Sequence, residues 1–192
     1  MRRILFTLSI IVAITSFFSG CATYRFSSDL VGFDENSNKG MIIGSITFYD
    51  LDAKFNMYVP KIVSLLDEKS SEFIIQPNGM VVYKHWGELQ EGKTYLFAIT
   101  KKPGDYEINQ IRCHTGNFQH YIKKFSIPFN VKKGEIVYIG EINIDEHASK
   151  SDTLIHLKNE FKRDIAGFKQ KSFKSKINWD LVKQSENKII YK

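Results

Sequence analysis

The chain has 192 residues, of which 43% are hydrophobic and 25% are charged, and its formal net charge is +6. This balance excludes a disordered chain and a membrane protein built from several spanning helices. With only two cysteines, a scaffold held together by several disulfides is also excluded. The 15 Phe and 9 Tyr residues favour a β-rich core, because aromatic side chains suit the half-buried surface of a sheet.

Residues 1–20 have the composition of a secretion signal. Arg2 and Arg3 precede an uncharged, mostly apolar run from Ile4 to Phe18. A membrane-spanning helix needs about 20 apolar residues, so this shorter run is typical of the apolar region of a signal peptide. We therefore expect residues 1–20 to be removed from the mature protein.

The signal ends in Phe18-Ser19-Gly20-Cys21, which resembles the lipobox of bacterial lipoproteins. The resemblance implies that the Cys21 thiol receives a diacylglyceryl group, that the chain is cleaved between Gly20 and Cys21, and that the new amine is acylated, for example with palmitate. Phe18 stands where the family usually has Leu. Ala22 follows the cysteine, and the sorting pattern of Gram-negative lipoproteins then implies the periplasmic leaflet of the outer membrane. An uncleaved signal anchor is the alternative.

The polar segment that follows, residues 21–40, is predicted to be an acylated tether. Fully extended, it would reach on the order of 65 Å from Cys21. Two or more acyl chains hold a protein stably on a membrane, whereas one binds only marginally. Cys113 is the other cysteine of the mature chain, and we expect it to be a buried small side chain without a reactive role.

Short apolar runs separated by Pro and Gly turns indicate a mainly β domain over residues 41–157, an antiparallel β-sandwich, with a barrel as the alternative. The predicted strands are Met41–Tyr49, Phe55–Leu66 with a break near Pro60, Glu72–Ile75, Met80–His85, Thr94–Thr100, Asp105–His114, His120–Asn130, Ile136–Ile144 and Thr153–Leu157. The strand Ile136–Ile144 is apolar on both faces, so we expect it to be central and covered on both sides. The side chains predicted to be mostly buried are Phe125, Ile127, Phe129, Ile136, Tyr138 and Ile142.

Residues 158–192 are predicted to form a basic, helical C-terminal extension. The apolar side chains Leu157, Phe161, Ile165 and Phe168 have helical spacing, with Arg163 and Asp164 off this stripe. We predict an amphipathic helix over Asn159–Gln170, packed on the sandwich. Residues 150–192 carry a net charge of +6 and residues 21–149 carry −2, so lipid head groups or peptidoglycan are alternative contacts for the extension.

Three short motifs carry a family resemblance: Gly44-Ser45-Ile46, then Pro103-Gly104-x-Tyr106-x-Ile108, then Val131-x-x-Gly134-x-x-x-Tyr138-Ile139-Gly140. Over residues 41–144 the chain resembles uncharacterised bacterial lipoprotein domains of the DUF2846 type and related carboxypeptidase-regulatory-like domains. The resemblance implies a sandwich of the transthyretin or prealbumin kind. It transfers no catalytic residue.

We predict no catalytic residue, no cofactor and no metal site. None of His85, His114, His120, His147 and His156 lies four residues from another histidine. The sequence has no Gly-x-Ser-x-Gly motif and no glycine-rich phosphate loop. Cys113, His114 and His120 lie near one another in the chain, but adjacent residues of a strand point to opposite faces, which counts against joint metal ligation. The acidic pairs at strand ends, which are Asp50/Asp52, Asp67/Glu68 and Asp145/Glu146, are expected to face water.

These observations favour a lipid-anchored envelope lipoprotein that acts as a non-catalytic interaction or structural module. We expect it to face the periplasm, to bind an envelope protein and not to bind nucleic acid. One alternative is a module that binds a small molecule or an envelope polymer through an aromatic groove near Trp86, Tyr95 or Tyr121. Others are an accessory lipoprotein of a secretion or envelope assembly machine, and a hydrolase or metalloenzyme.

Overall fold

The computed structural model describes residues 30, 33, 36, 38–49, 53–77, 89–90, 93–123, 125–146, 155–171 and 176–191. These residues form eleven strands, one α-helix and a short 3-10 turn. The strands are β1 (Gly40–Phe48), β2 (Met57–Ser64), β3 (Ser70–Glu72), β4 (Thr94–Lys101), β5 (Gly104–Thr115), β6 (Phe118–Ile122), β7 (Phe125–Val131), β8 (Ile136–Ile144), β9 (Ile155–Lys158), β10 (Lys183–Gln184) and β11 (Ile190–Tyr191). Helix α1 is Phe161–Lys171, and the 3-10 turn is Trp179–Leu181.

The first sheet, sheet A, has the order β4-β1-β8, with β9 and β10 paired to different parts of the far edge of β8. Strand β1 is antiparallel to β4 but parallel to β8, and β10 is also parallel to β8. The expectation of a purely antiparallel sandwich is therefore wrong for sheet A. A parallel pair needs a long connection, and between β1 and β8 the chain passes through most of the second sheet.

The second sheet, sheet B, is antiparallel and has the order β3-β2-β5. On the side of β5 away from β2, its first half pairs with β7 and its second half pairs with β6. Strand β11 then pairs with β7. The predicted break near Pro60 appears as a shift of register between Lys61 and Ile62, so β2 continues through it. The predicted turns at residues 102–105 and 132–135 each carry the chain from one sheet to the other.

The two sheets pack face to face through one apolar core. This inner core draws side chains from both sheets, such as Ile42 and Phe97 of sheet A and Ile62 and Ile127 of sheet B. The prediction of six mostly buried side chains is confirmed, because none is more than 5% exposed: Phe125, Ile127, Phe129, Ile136, Tyr138 and Ile142.

Helix α1 covers the outer face of sheet A, as predicted. Ile165 and Phe168 pack in a second apolar cluster with Met41, Ile43 and Leu96. Strand β8 is therefore covered on both faces, which confirms the expectation for it.

The helix begins two residues later than predicted. The Asn159 side chain accepts a hydrogen bond from the backbone N–H of Phe161 at 3.2 Å and so caps the first turn. Leu157 does not belong to the helix stripe, because it lies in β9, where it pairs with Ile142.

The folded unit extends beyond residues 41–157 in both directions. Leu30 is 1% exposed and belongs to the outer apolar cluster, so the segment predicted as a tether, residues 21–40, contains a point fixed to the domain. The segment predicted as a helical extension, residues 158–192, also supplies strands β10 and β11, which return to sheet A and sheet B.

Candidate functional site

A fully buried carboxylate joins helix α1 to sheet A. Oδ2 of Asp164 accepts hydrogen bonds from Ser45 Oγ at 2.6 Å and from Tyr138 Oη at 2.8 Å. Its other oxygen, Oδ1, accepts from Nη2 of Arg163 at 2.6 Å and from Nε at 2.8 Å. Because Ser45 lies in β1 and Tyr138 lies in β8, this carboxylate ties the helix to two strands at once.

The same arginine serves a second buried acid. Arg163 Nη2 lies 2.6 Å from Glu141 Oε2, and Thr47 Oγ1 donates to that oxygen at 2.7 Å. Each of the two carboxylates therefore accepts at least one hydrogen bond from a hydroxyl group in addition to its pairing with Arg163. A buried charge is costly unless it is paired and hydrogen-bonded in this way. We call this set of side chains the helix-docking network: Ser45, Thr47, Tyr138, Glu141, Arg163 and Asp164.

A β-bulge in β8 places both Tyr138 and Glu141 on the face that meets the helix. One residue, Gly44, separates Ile43 from Ser45 in β1, whereas two residues separate their β8 partners, Tyr138 and Glu141. The extra residue reverses which face the following side chains occupy. Without it, Glu141 would point into the inner core.

The bulge requires glycine in both strands. Gly140 has φ +106°, in the region that favours glycine. A Cβ atom added to Gly44 would lie 2.7 Å from the Gly140 carbonyl oxygen. Strict alternation along a strand would place Tyr138 and Ile142 on one face. They instead lie on opposite faces, with Tyr138 in the outer cluster and Ile142 in the inner core.

The chemistry of the helix-docking network suits structural attachment. Burial, and then the Asp164 charge, raise the pKa of Tyr138 above its ordinary value, so its phenol stays protonated and donates to Asp164. Ser45 and Asp164 are both 0% exposed, and Glu141 is 2% exposed. A hydroxyl and carboxylate in such a position have no contact with solvent, and their observed role is to hold α1 against the sheet.

Sequence reasoning missed this network because it placed Asp164 off the apolar stripe of the helix. Asp164 in fact lies on the buried face. Its spacing carried a signal, because it follows Phe161 by three residues and precedes Phe168 by four, which is the spacing of one helix face. The donors, Ser45 and Tyr138, come from distant strands, and spacing within the helix does not reveal them.

A cleft of about 460 Å³ opens where β4, the edge of sheet A, approaches β3, the edge of sheet B. We call it the lysine cleft, because its charged lining consists of four lysines and one aspartate: Lys39, Lys69, Lys101, Lys102 and Asp67. Four positive charges against one negative charge leave the lining at +3. Sequence reasoning missed the cleft, because the lysines come from separate segments of the chain.

Among the described residues, the single acid that lines the lysine cleft, Asp67, is held ionised by its neighbours. Hydrogen bonds from the side chains of Ser64 and Lys69 lower the pKa of Asp67 to about 2. Lys69 Nζ lies 2.9 Å from Asp67 Oδ2, and Lys101 Nζ donates to Ser71 Oγ across the cleft. Asp67 was predicted to face water, and its side chain is 43% exposed.

Two leucines are exposed beside the lysine cleft, in the turn between β2 and β3. Leu65 is 54% exposed and Leu66 is 91% exposed. The turn is fixed by backbone hydrogen bonds, from Leu65 N to Asp105 O at 2.9 Å and from Ser64 N to Lys69 O at 2.9 Å. The fold therefore holds two apolar side chains in water next to a basic surface, which is a feature of interaction sites.

The three residues considered as joint metal ligands, Cys113, His114 and His120, do not all share one face of the sheet. Cys113 is fully buried, and burial raises the pKa of its thiol to about 12, so the expectation of a buried small side chain is confirmed. Its cross-strand neighbour is His120, which stacks on Phe55 with ring centroids 5.8 Å apart. His114 pairs with Gln119 and so lies on the other face. In the part of the chain that the structure describes, no three His, Cys, Asp or Glu side chains are grouped as metal ligands.

The aromatic groove is contradicted at one of its three residues. Tyr95 is 3% exposed and lies in the inner core, where its ring centroid is 5.5 Å from that of Phe48. Tyr121 is 41% exposed on β6.

Several predicted site residues lie outside the described residues: Gly20, Cys21, Asp50, Asp52, His85, Trp86 and His147.

No protein-family model matches this sequence, and no curated protein matches it. Among solved structures, the chain is similar to a leucine-rich repeat protein from Bacteroides thetaiotaomicron, with 10% sequence identity and a TM-score of 0.35. The similarity covers 58% of this chain and 14% of that chain. Across the described residues, no helix has both the length and the apolar character needed to cross a bilayer.

Proposed function

We propose that the protein is a lipid-anchored outer-membrane lipoprotein whose β-sandwich is a non-catalytic, periplasm-facing interaction module for an envelope protein. The observation that carries the anchor is the order of the N-terminal sequence: Arg2-Arg3, then the apolar run, then Ser19-Gly20-Cys21. Ala22, rather than Asp, after the cysteine supports the outer membrane.

The placement of charged groups supports a non-catalytic module. The buried acids Asp164 and Glu141 are engaged by donors that attach α1. Exposed features that suit contact with a partner rather than bond-making include the β2–β3 turn with its two leucines, the lysine cleft, and Phe118 at the opposite end of the sandwich. We also propose that the sandwich is of the transthyretin-like kind, which the orders β4-β1-β8-β9 and β3-β2-β5-β7 support.

Metabolic labelling with palmitate tests the anchor. The chain offers a matched pair, because Cys21→Ser removes the proposed acylated thiol and Cys113→Ala removes the buried one. We expect the unaltered protein and Cys113→Ala to carry label in the envelope fraction, and Cys21→Ser to carry none. If Cys21→Ser still carries label and remains with the membranes, the lipoprotein proposal is wrong.

Photo-crosslinking in intact cells tests the envelope-protein partner. Phe118 is 82% exposed at the tip of the β5–β6 hairpin, at the opposite end of the sandwich from the lysine cleft. A photoreactive residue there should give one discrete crosslinked species, identified by mass spectrometry, whereas the same residue at Lys162 on α1 should not. Crosslinks that are equally abundant and equally diverse at both positions would contradict a specific partner at this end.

The charge of the lysine cleft favours a second candidate, a module that binds an anionic envelope polymer. Carboxylate or phosphate groups would be attracted to its net charge of +3. Co-sedimentation with peptidoglycan sacculi tests it. Lys69→Glu with Lys102→Glu should abolish sedimentation, whereas Lys162→Glu on α1 should not change it. Equal sedimentation of all three proteins would contradict polymer binding in the cleft.

A further inference from the structure

We propose that the lysine-cleft end of the sandwich rests on the anionic lipid surface that holds Cys21, with Leu65 and Leu66 inserted among the lipids. This inference rests on the proposed anchor at Cys21. Three observations lead to it: the length of the connection to the membrane, the exposed leucines, and the charge around them.

The connection between the lipid and the domain is short. Leu30 is buried in the outer cluster, and nine residue steps separate it from Cys21. Nine steps span at most about 30 Å, which is half the reach that the sequence alone suggested. Some part of the sandwich must therefore lie close to the bilayer. Strand β1 begins at the lysine-cleft end, and Lys39 immediately before it lines the cleft.

The backbone of the β2–β3 turn holds the two leucines outside the core. Leu66 is 91% exposed, and the backbone hydrogen bonds of the β2–β3 turn fix it outside the core. Transfer of such side chains from water into lipid is favourable. The turn pays no further ordering cost on contact, because it is already closed by the bond from Ser64 N to Lys69 O.

The charges at this end favour anionic lipid. The β7–β8 turn lies beside the lysine cleft, since Gly134 N donates to Lys39 O at 2.9 Å, and it adds Lys132 and Lys133 to the four lysines of the cleft. Four acids lie at the same end: Asp67, Glu68, Asp105 and Glu135. Three of them already have polar partners. Asp67 pairs with Lys69, Asp105 accepts a hydrogen bond from Asn130, and Glu135 pairs with Lys183. Six lysines against four acids leave a positive surface that attracts anionic head groups.

A fluorophore at Leu66 tests the contact in the full-length acylated protein. In a Leu66→Cys variant the new thiol is the reactive one, because Cys113 is buried with a raised pKa and Cys21 carries the anchor. Leu181→Cys is the matched control, since Leu181 is 62% exposed on the helix side, and Phe118→Cys reports the opposite end. Each labelled protein is reconstituted into vesicles of phosphatidylethanolamine and phosphatidylglycerol with brominated acyl chains, which quench fluorophores that enter the bilayer.

We expect loss of fluorescence at position 66 but not at 181 or 118, and weaker loss when phosphatidylcholine replaces phosphatidylglycerol. Vesicle flotation reports the anchor separately. If the protein floats but its label at position 66 is not quenched, the anchor is present and the proposed lipid contact is wrong. Shielding of that label by sacculi without vesicles also contradicts the lipid contact. Quenching at position 181 instead assigns the contact to the C-terminal segment and overturns the inference. A protein that does not float overturns both the anchor and the contact.

Discussion

The two faces of sheet A are stabilised in different ways, although the same three strands form both. The inner face is apolar and meets sheet B, through side chains such as Ile42, Phe97 and Ile139. The outer face is part apolar and part polar, and where it meets helix α1 two acids are buried with their donors, Glu141 of β8 and Asp164 of α1. Burial of apolar surface stabilises the inner face, and any apolar side chain of suitable size can provide that surface. The outer face depends on particular donors meeting particular oxygens.

The inner face should give the largest single loss of stability. Phe97 is 0% exposed, and its ring centroid lies 4.9 Å from that of Phe73. We expect Phe97→Ala to lower the free energy of unfolding by about 3–5 kcal/mol, because it removes buried area and leaves a cavity. Urea unfolding measures this. Phe118→Ala, at an 82% exposed position, is the control and should change it by less than about 0.5 kcal/mol. Equal losses would contradict the assignment of the core.

The outer face should respond strongly to loss of a single charge. Asp164→Asn keeps the shape of the side chain, but it removes a charge that Arg163 pairs with and turns an amide N–H toward donors from Ser45, Tyr138 or Arg163. We expect a loss of about 3 kcal/mol, at the lower end for a broken buried pair because the Arg163 side chain is 21% exposed. Asp180→Asn is the control, since Asp180 is 86% exposed in its pair with Lys169 and should cost less than about 0.5 kcal/mol. A stable Asp164→Asn protein would mean that the network does not hold the helix.

The difference between the faces also explains what the sequence could predict. The aromatic content and the short apolar runs predicted the β-rich class and buried side chains such as Phe125 and Ile127, because a face that needs only apolar surface leaves a local pattern in the sequence. The bulge at Gly140 has no such pattern, and strict alternation from Tyr138 would place Ile142 on the wrong face. Ser45 and Tyr138, which donate to Asp164, are brought together only by the pairing of β1 with β8. The parallel direction of that pairing depends on the path of the whole chain.

The lysine cleft was unpredictable for the same reason. Lys39, Lys69 and Lys101 meet because the edges of two sheets meet, and no segment alone contains the cluster. The exposed leucines gave a misleading signal, since Leu65 and Leu66 extend the apolar run of β2 and were predicted as strand. The strand ends at Ser64, and the turn leaves both leucines outside the core.

Tyr138→Phe sharpens the comparison by removing one hydroxyl, which donates to Asp164 and accepts a hydrogen bond from the backbone N–H of Glu160 at 3.2 Å. We expect a loss of about 1–2 kcal/mol, because the hydrogen bond goes to a charged acceptor. In the Asp164→Asn background the same change should cost less, because the bond it removes is already weakened. Urea unfolding of the two single variants and the double variant measures the coupling. Strictly additive losses would contradict a coupling between the Tyr138 hydroxyl and Asp164.

Ionisation of the inner-face thiol should affect stability only at alkaline pH. Burial raises the pKa of Cys113 from 9.0 to about 12, so the folded state retains a proton that the unfolded state releases. The corresponding stability is fully present below pH 9.0 and is lost as pH rises from 9.0 towards 12. We expect Cys113→Ala to reduce the fall in unfolding free energy over that interval. An unchanged slope would contradict the burial of the thiol.

Mass spectrometry of the protein extracted from cell envelopes tests the central claim, that an acylated Cys21 holds this sandwich on a membrane. Cleavage after Arg25 releases the segment Cys21–Arg25 from the mature N-terminus. We expect this segment to begin at Cys21 and to carry the mass of a diacylglyceryl group and a further acyl chain on the amine. A chain that still contains residues 1–20, or a segment with an unmodified Cys21 thiol, would contradict the account.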